Sequence, residues 1–600
     1  MRLAPTPLLF QGRILFLRVL VIIGFLLVTG GYYRIQILNQ ERYERLGEKY
    51  RIKKRRIKAT RGLIYDRHER LITQNMPTYD LLLRRDEMEQ PWRKVKDELA
   101  EFLQVDVAQL QRKYDSRSTL LSQPVKLIEN ITFAESMRIR RNLKRYPGLA
   151  VETTEKRYYT YNTLFSHVLG YVSVASESAL RRNPRLRLGD VVGKSGIELA
   201  YDDMLTGIDG ERTILVDHRG IYHSTEVTAP PVPGGDIFLT LDLDLQQLAV
   251  EALEGRPGSV VMMDTRTGGL LVCVSSPTFD LNMFTQRFTQ KEWDELINRE
   301  GNPLLNRPLQ GAYAPGSVFK VVTALSALKN GAITPQTTYF CNGEYKLHNR
   351  IFRCHKRGGH GHVDVTAAIK GSCNVFFYNI ARDLDIDQLA KTAHEMGLGE
   401  KTGVDLHGEK TGLVPTPAWK RKRTGEIWYP GQTLSVSIGQ GSLQTTPLQL
   451  LSMMATVAND GRVVRPHLLY KSRLGMESKL HVPESGAVEG MMPEYYTLVK
   501  TALWQVVNKE KGTGSTARVA GFDVCGKTGT AQLITFSSEA DHKVDRYKNA
   551  WFAGFAPREN TEVAIVVLVE QAGAGGAKAG PVAQKLLEAY ARKKKEVDPT

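Results

Sequence analysis

Residues 311–328 read GAYAPGSVFKVVTALSAL, and the way this stretch folds decides how the rest of the chain is read. Pro315-Gly316 makes a turn and Ser317 opens an apolar helix, so Lys320 falls one turn further along the same face. A serine at a helix N-terminus is favoured as an alkoxide by the helix dipole. A lysine desolvated beside it can give up its charge and take the serine proton. The bland alternative is a capping serine with a solvated lysine. It fits poorly, because Lys320 stands inside the run Val318-Phe319-Lys320-Val321-Val322.

Two further motifs complete the chemistry. In KGSCNVFFYNIA (370–381), Ser372 and Asn374 stand two apart before an aromatic helix. A hydroxyl there can pass a proton between the lysine and a leaving group, and an amide can hold a substrate amide. Lys-Thr-Gly occurs at 401–403, 410–412 and 527–529. Holding a carboxylate with a cation and a hydroxyl, while backbone N–H groups face a carbonyl, requires a strand edge. The first two copies lie among glycine, proline and charge in GLGEKTGVDLHGEKTGLVP (397–415) and read as loop turns. The third follows the apolar VAGFDVCG and continues as Thr530-Ala531, so Lys527, Thr528, Gly529 and Thr530 form the expected strand site.

Around these motifs, IFLTLD (237–242) and GSVVMMDTRTGGLLVCVSS (258–276) read as strands, the second as a hairpin turning at Thr267-Gly268-Gly269. AWFAGFAP and EVAIVVLVE give late strands, and AGPVAQKLLEAYARKKK gives a closing helix. Strands at both ends of a helical middle predict an α+β domain over 237–592. TAPPVPGGD (228–236) is the expected linker, and 50–227 a separate charged domain with helices around 92–114 and 132–146. The apolar run ILFLRVLVIIGFLLVTGGYY (14–33) is long enough to span a membrane and has no small-x-small cleavage site. It predicts an uncleaved anchor over 14–36 after a cytoplasmic tail, 1–13. The basic YRIKKRRIK (50–58) makes the positive-inside rule favour a cytoplasmic body, a weak rule for long domains. The net charge of +17 suits lipid headgroups or acidic wall polymer, and no zinc-finger or helix-turn-helix spacing supports nucleic acid. A solvated charge run is the ordinary reading of KKRRIK and of the basic tail, 593–600.

Residues 339–377 hold three of the five cysteines. Cys341, Cys354, His360 and Cys373 make a Cys₃His set suited to structural zinc, although no Cys-x-x-Cys knuckle is present. His355, His362 and Asp364 are substitute ligands. A Cys341–Cys354 disulfide and simple burial are the competing readings, and Cys273 and Cys525 read as buried strand residues.

Taken in order, the three motifs are the signature shared by penicillin-binding proteins and class A β-lactamases. The chain resembles the class B penicillin-binding proteins, most of all the elongation-type penicillin-binding protein 2 group, over nearly its whole length. RGLIYDRHERLI (61–72) is similar to the family's opening pedestal motif, with His68-Glu69 where Asn-Gly is usual. The segment 191–220 matches the second pedestal block through Gly193, Ser195, Gly196, Glu198, Tyr201, Leu205, Gly207 and Gly210, and SIGQGSLQTTPLQL (437–450) matches the block before the third motif.

The resemblance implies the penicillin-binding transpeptidase fold on an elongated, dimerisation-like pedestal domain, with one transmembrane helix. It also implies a serine D-Ala-D-Ala transpeptidase/carboxypeptidase that cross-links stem peptides of lipid II-derived glycan and is inhibited by β-lactams. Ser317 would be the nucleophile, Lys320 the base, Ser372 the proton shuttle and Asn374 the holder of the stem amide. Lys527 and Thr528 would hold the terminal carboxylate, with Gly529 completing the motif, and the N–H groups of Ser317 and Thr530 would form the oxyanion hole. No cofactor serves catalysis. The body would lie in the periplasm, anchored once in the inner membrane, beside a polytopic glycosyltransferase of the shape, elongation, division and sporulation (SEDS) class. Some relatives place metal ligands in the segment around 341–373, which favours zinc there. The rivals are a β-lactamase or β-lactam sensor, a division-specific sister enzyme and an inactive scaffold. The lactamase lacks its usual Glu-x-x-x-Asn segment here, and all three motifs being intact disfavours the scaffold.

Overall fold

The computed structural model describes residues 8–41, 52–115, 124–216, 222–286, 289–481, 484–532, 548–573 and 575–597. Residues 1–7 of the expected cytoplasmic tail, 50 and 51 of the expected pedestal and 598–600 of the expected basic tail lie outside the described residues.

Helix α1 (Leu8–Tyr33) runs into a π-helical turn, Arg34–Leu38. Its apolar span, Gly12–Leu38, has 27 residues. At about 1.5 Å per residue that exceeds the roughly 30 Å of a bilayer core, so the helix fits a single-pass membrane anchor.

By contacts the described chain forms two compact units, and these do not follow the sequential boundaries expected at 227 and 237. One comprises residues 1–60, 78–154 and 207–233, and the other 61–77, 155–206 and 234–600. The segments 61–77 and 155–206 therefore fold with the motif-bearing domain. A buried ionic knot fastens these two segments to each other, and a shared apolar core joins them to the rest of the unit. Glu198 is fully buried, and its carboxylate accepts from Arg157 Nε at 2.7 Å and Arg61 Nε at 2.8 Å. Arg157 Nη1 also donates to Gly62 O at 2.8 Å, and the Tyr159 hydroxyl accepts from Val172 N at 3.1 Å. Burial pushes the Glu198 carboxyl up, but the charges of Arg157 and Arg61 outweigh it and hold the group below its usual range. Phe165, Leu169, Ile197 and Leu205 join the same apolar core as Ile237 and Leu239.

The family's Asn-Gly turn also survives its substitution. Glu69 takes φ +61°, the left-handed conformation glycine would supply, and its N–H donates to Asp66 O at 3.1 Å. The Asp66 carboxylate compensates by accepting from the N–H groups of His68 at 2.9 Å and Arg70 at 2.8 Å.

In the other unit, a three-stranded sheet joins Ile52–Ile57, Gly210–Val216 and Tyr222–Ala229. The basic run 53–58 is thus largely a paired strand: Lys54 meets Glu211 at 2.8 Å, and Arg56 pairs with Asp209. Helices Trp92–Leu103, Val107–Asp115 and Phe133–Asn142 cover a small core that includes Leu81, Leu99, Leu110, Leu127 and Ile139.

The motif-bearing domain centres on a five-stranded antiparallel sheet. Its strands are β1 (Gly258–Asp264), β2 (Leu270–Ser276), β3 (Cys525–Gln532), β4 (Lys548–Ala556) and β5 (Val563–Val569), in spatial order β2-β1-β5-β4-β3. β1, β4 and β5 are continuous apolar runs because both faces are covered. Helix Pro447–Ala458 packs on one face and the closing helix Gly575–Val597 on the other. The closing helix extends through the expected tail as far as Val597. Lys593 there donates to both carboxylate oxygens of Asp242, at 2.7 and 2.8 Å, and is not a loose solvated charge. Among the described residues β3 is an edge strand paired with β4 alone, Lys527 opposite Ala553 and Thr530 opposite Ala550. The third motif thus stands at the strand edge it requires.

Candidate active site

Ser317 sits in a 3₁₀ turn, Gly316–Phe319, that feeds helix α2 (Lys320–Lys329). The turn is pressed against β3. Gly316 has φ +55°, and a Cβ there would lie 2.7 Å from Thr530 O; a Cβ on Gly529 would lie 2.7 Å from Pro315 O. Gly316 N also donates to Gly439 O at 2.9 Å. Glycines on both sides let the two backbones touch, which brings the Ser317 turn and the Thr530 stretch to one place.

Lys320 is fully buried. Its ammonium donates to Ser372 O at 2.7 Å, Asn374 Oδ1 at 2.7 Å and Ser372 Oγ at 3.3 Å, and it lies 5.3 Å from the centre of the Phe377 ring. Burial pushes this lysine down to about 8, against an opposing pull from Cys354 and Cys373. The Ser317 hydroxyl has no hydrogen-bond partner among the described residues, so it is open to a reacting carbonyl. The second motif therefore holds the lysine poised, and the serine is left unengaged.

Ser372 adopts φ +55°, and Asn374 begins helix α3 (Asn374–Asp383). The Asn374 N–H donates to Cys354 Sγ at 3.3 Å, and its side-chain Nδ2 donates to Arg353 O at 3.2 Å. On β3, Lys527 is fully buried, with Nζ donating to Thr528 O at 3.2 Å. Burial, then the charge of Lys320, hold it well below the ordinary lysine range. The Thr528 hydroxyl donates to Thr513 Oγ1 at 3.1 Å, and Gly529 is buried next to Thr530. Ser317 and Lys320 are thus joined with Ser372, Asn374, Lys527, Thr528, Gly529 and Thr530 in one neighbourhood. The two other Lys-Thr-Gly copies are loops: the Thr402 and Gly403 N–H groups donate to Glu409 at 2.8 and 3.2 Å.

The four expected metal ligands also converge. One ligand atom from each of Cys341, Cys354, His360 and Cys373 lies within 4.8 Å of every other. His360 Nδ1 is 3.6 Å from Cys341 Sγ and 3.5 Å from Cys354 Sγ. All five cysteines are free, so the Cys341–Cys354 disulfide is not formed. Of the substitute ligands, Asp364 caps a helix by accepting from Ala367 N at 2.7 Å, His362 lies against Phe340, and His355 reaches Cys354 only at 4.0 Å. Within the cluster a hydrogen bond from Cys373, then one from His355, favour the Cys354 thiolate, which lies far below the usual thiol range.

Sequence reasoning missed a set of supports. Gln440 Nε2 donates to Thr530 O at 3.2 Å, tying the 437–450 block to the end of the third motif. The Tyr313 hydroxyl donates to Glu570 at 2.5 Å, Arg307 Nε donates to the same carboxylate oxygen at 2.8 Å, and Trp551 Nε1 donates to Ala314 O at 3.1 Å. Of these, Gln440 lies in the 437–450 block already noted in the sequence, whereas the Tyr313, Arg307 and Glu570 set carried no local signal.

Residues 258–588 match the family model for the penicillin-binding protein transpeptidase domain, and 56–239 match that for the penicillin-binding protein dimerisation domain. Peptidoglycan D,D-transpeptidase MrdA of Escherichia coli is 34% identical, over 94% of this chain and 92% of its own length. That of Haemophilus influenzae is 33% identical, over 95% and 90%. Among solved structures, penicillin-binding protein PBP2 of Helicobacter pylori in complex with MreC superposes with a TM-score of 0.80 at 30% identity, covering 90% of this chain and all of that one. PBP2 of Pseudomonas aeruginosa gives 0.68 at 30% identity, over 90% and 96%.

Proposed function

Belonging to the class B penicillin-binding proteins of the penicillin-binding protein 2 type, this chain is a serine peptidoglycan D,D-transpeptidase, and we propose that Ser317 is its nucleophile, with Lys320 the base that activates it. The observation that carries the assignment is the buried Lys320 amine, held 2.7 Å from both Ser372 O and Asn374 Oδ1 with the Ser317 hydroxyl left open. Once Lys320 is deprotonated it takes the Ser317 proton. The Ser372 hydroxyl, 3.3 Å from Nζ, then relays a proton toward the departing terminal D-alanine. Asn374 keeps one amide hydrogen for the donor stem. Lys527 and Thr528 hold the terminal carboxylate, and the N–H groups of Ser317 and Thr530 stabilise the oxyanion. Gly529 keeps β3 close enough to the turn for that pair to converge. β-Lactams acylate the same serine.

The enzyme works during cell elongation, anchored by α1 in the inner membrane with its bulk in the periplasm, and partners a SEDS-class glycosyltransferase. One similar structure, with a TM-score of 0.71 at 30% identity, is of a peptidoglycan synthase complex coordinating polymerisation and cross-linking, which supports that partnership. In chain order 50–227 is the pedestal, 228–236 the linker and 237–592 the transpeptidase domain, with 61–77 and 155–206 of the pedestal sequence folding into the compact unit of the transpeptidase domain.

Zinc held by Cys341, Cys354, His360 and Cys373 belongs to the same reading. Tetrahedral ligands at Zn–S of about 2.3 Å and Zn–N of about 2.0 Å stand roughly 3.5 Å apart. The His360–Cys341 and His360–Cys354 separations of 3.6 and 3.5 Å fit that geometry. Bound there, zinc would supply structure only, holding Cys373, which lies between Ser372 and Asn374, and Cys354, whose Sγ accepts from Asn374 N at 3.3 Å. Mass spectrometry of the penicillin-labelled protein tests the central assignment: the adduct is expected on Ser317, and an adduct on any other residue overturns it.

A further inference from the structure

The hydroxyl of Thr528 is engaged in a bond that the chemistry assigned above does not use. Its partner, Thr513, stands in KGTGSTAR (511–518), the loop that joins helix Pro493–Asn508 to β3. Backbone bonds from Gly512 N to Lys509 O at 3.1 Å and from Gly514 N to Val506 O at 3.0 Å tie this loop to the end of that helix. The start of the closing helix also lies against it. A Cβ on Gly576 would stand 2.8 Å from Thr513 O and 3.7 Å from Thr528 Cγ2, and Thr516 Oγ1 donates to Gly576 O. Held in this way, the half-buried Thr513 sets its Oγ1 3.1 Å from that of Thr528, from which it accepts.

A threonine hydroxyl has one proton to donate and lone pairs to accept with. While Thr528 donates to Thr513, its proton is turned away from the carboxylate assigned to it. Turning that proton to the carboxylate keeps the pair bonded only if Thr513 donates in return. The chain then runs from Thr513 to Thr528 to the carboxylate, each donor polarised by the one behind it. Such help counts for more here because Lys527 is fully buried, and burial, then the charge of Lys320, disfavour its charged form. We propose that Thr513 is a positioning residue for the donor stem, its hydroxyl orienting that of Thr528 toward the terminal carboxylate and so setting the preference for substrates that carry one. The inference rests on Thr528 holding that carboxylate.

The test uses full-length enzyme with benzylpenicillin, which presents a carboxylate, and with its methyl ester, which masks it. Acylation is measured in wild type, Thr513→Val, Thr513→Ser, Thr528→Val and the double valine variant, separating initial binding from the rate at saturation. Thr513→Val should weaken initial binding of benzylpenicillin about tenfold, the scale of one hydrogen bond to a charged group, and leave the saturated rate within about twofold. The methyl ester should bind Thr513→Val and wild type alike. Thr513→Ser, which keeps the hydroxyl, should restore benzylpenicillin binding. The double variant should be no weaker than Thr528→Val alone, because Thr513 acts through Thr528. Losses that multiply in the double variant, or that are equal for the ester, would overturn the inference and make Thr513 a packing residue. Unchanged benzylpenicillin binding in Thr513→Val beside an impaired Thr528→Val would overturn it as well. An unimpaired Thr528→Val would instead sink the carboxylate assignment on which it rests.

Discussion

Asn374→Asp isolates the electrostatics of the base. The change is nearly isosteric and places a carboxylate oxygen where Oδ1 now lies, 2.7 Å from Lys320 Nζ. At an effective dielectric of about 20, two unit charges at that distance attract by about 6 kcal/mol, worth roughly four pKa units at about 1.4 kcal/mol each. Lys320, pushed down to about 8 by burial in the native protein, returns to or above the ordinary lysine range. In wild type the neutral fraction is about one half at pH 8 and falls about tenfold per unit below pH 7, following a single titration. Acylation by a fluorescent penicillin, followed from pH 6 to 10, should therefore rise with pH to a plateau above about 8. Asn374→Asp should label at least a hundredfold more slowly at pH 8 and recover only toward strongly alkaline pH. Loss of the stem-holding amide also slows labelling, but it does not move the midpoint of the profile. A wild-type profile flat between pH 6 and 9, or variant labelling within threefold of wild type at pH 8, would refute Lys320 as a base tuned by burial.

Other expectations follow from the same geometry. Glu198→Gln leaves the buried Arg157 without the carboxylate at its Nε and Arg61 with Asp202 alone, and should cost about 3–5 kcal/mol in thermal or denaturant unfolding. Since the Glu198 carboxyl is held low in the fold, its contribution is present above the unfolded carboxylate pKa of about 4 and lost as pH falls, so the gap should close in acid. Protein purified without added metal should carry about one zinc per chain and lose it, with a lower melting temperature, in Cys373→Ser; less than about one zinc per several chains rejects the clip. Gly316→Ala puts a Cβ 2.7 Å from Thr530 O at a positive φ, and should cut penicillin acylation more than tenfold while costing only about 1–2 kcal/mol of stability.

The chemistry of this protein was more legible in its sequence than its architecture was. Ser317, Lys320, Ser372, Asn374 and the third Lys-Thr-Gly were readable because each lies in a short window whose local pattern, apolar helix or strand, already implies its environment. The Cys₃His set was readable as a composition, and its convergence follows from strands Tyr339–Cys341 and Gly361–Val363 pairing Cys341 opposite Gly361. The partners across long separations were not readable. Nothing near Lys593 announces Asp242, 351 residues away, and nothing near Glu570 announces Arg307, 263 away. For the same reason the compact units escaped a linear reading. Glu198 looks like one acid in a helix, yet its burial with Arg61 and Arg157 fastens 61–77 to 155–206, and apolar neighbours such as Ile197 and Leu205 join the core of the motif-bearing unit.

The left-handed backbone of Ser372 has a bearing on how the enzyme can change over generations. A φ of +55° suits glycine or asparagine, and an L-serine there bears a penalty on the order of 1 kcal/mol. The residues this backbone prefers are those without the hydroxyl that stands 3.3 Å from Lys320 Nζ. Mutational drift toward greater comfort at this position would remove the hydroxyl proposed as the proton relay. On the proposed mechanism, selection for cross-linking holds the strained serine in place against that drift.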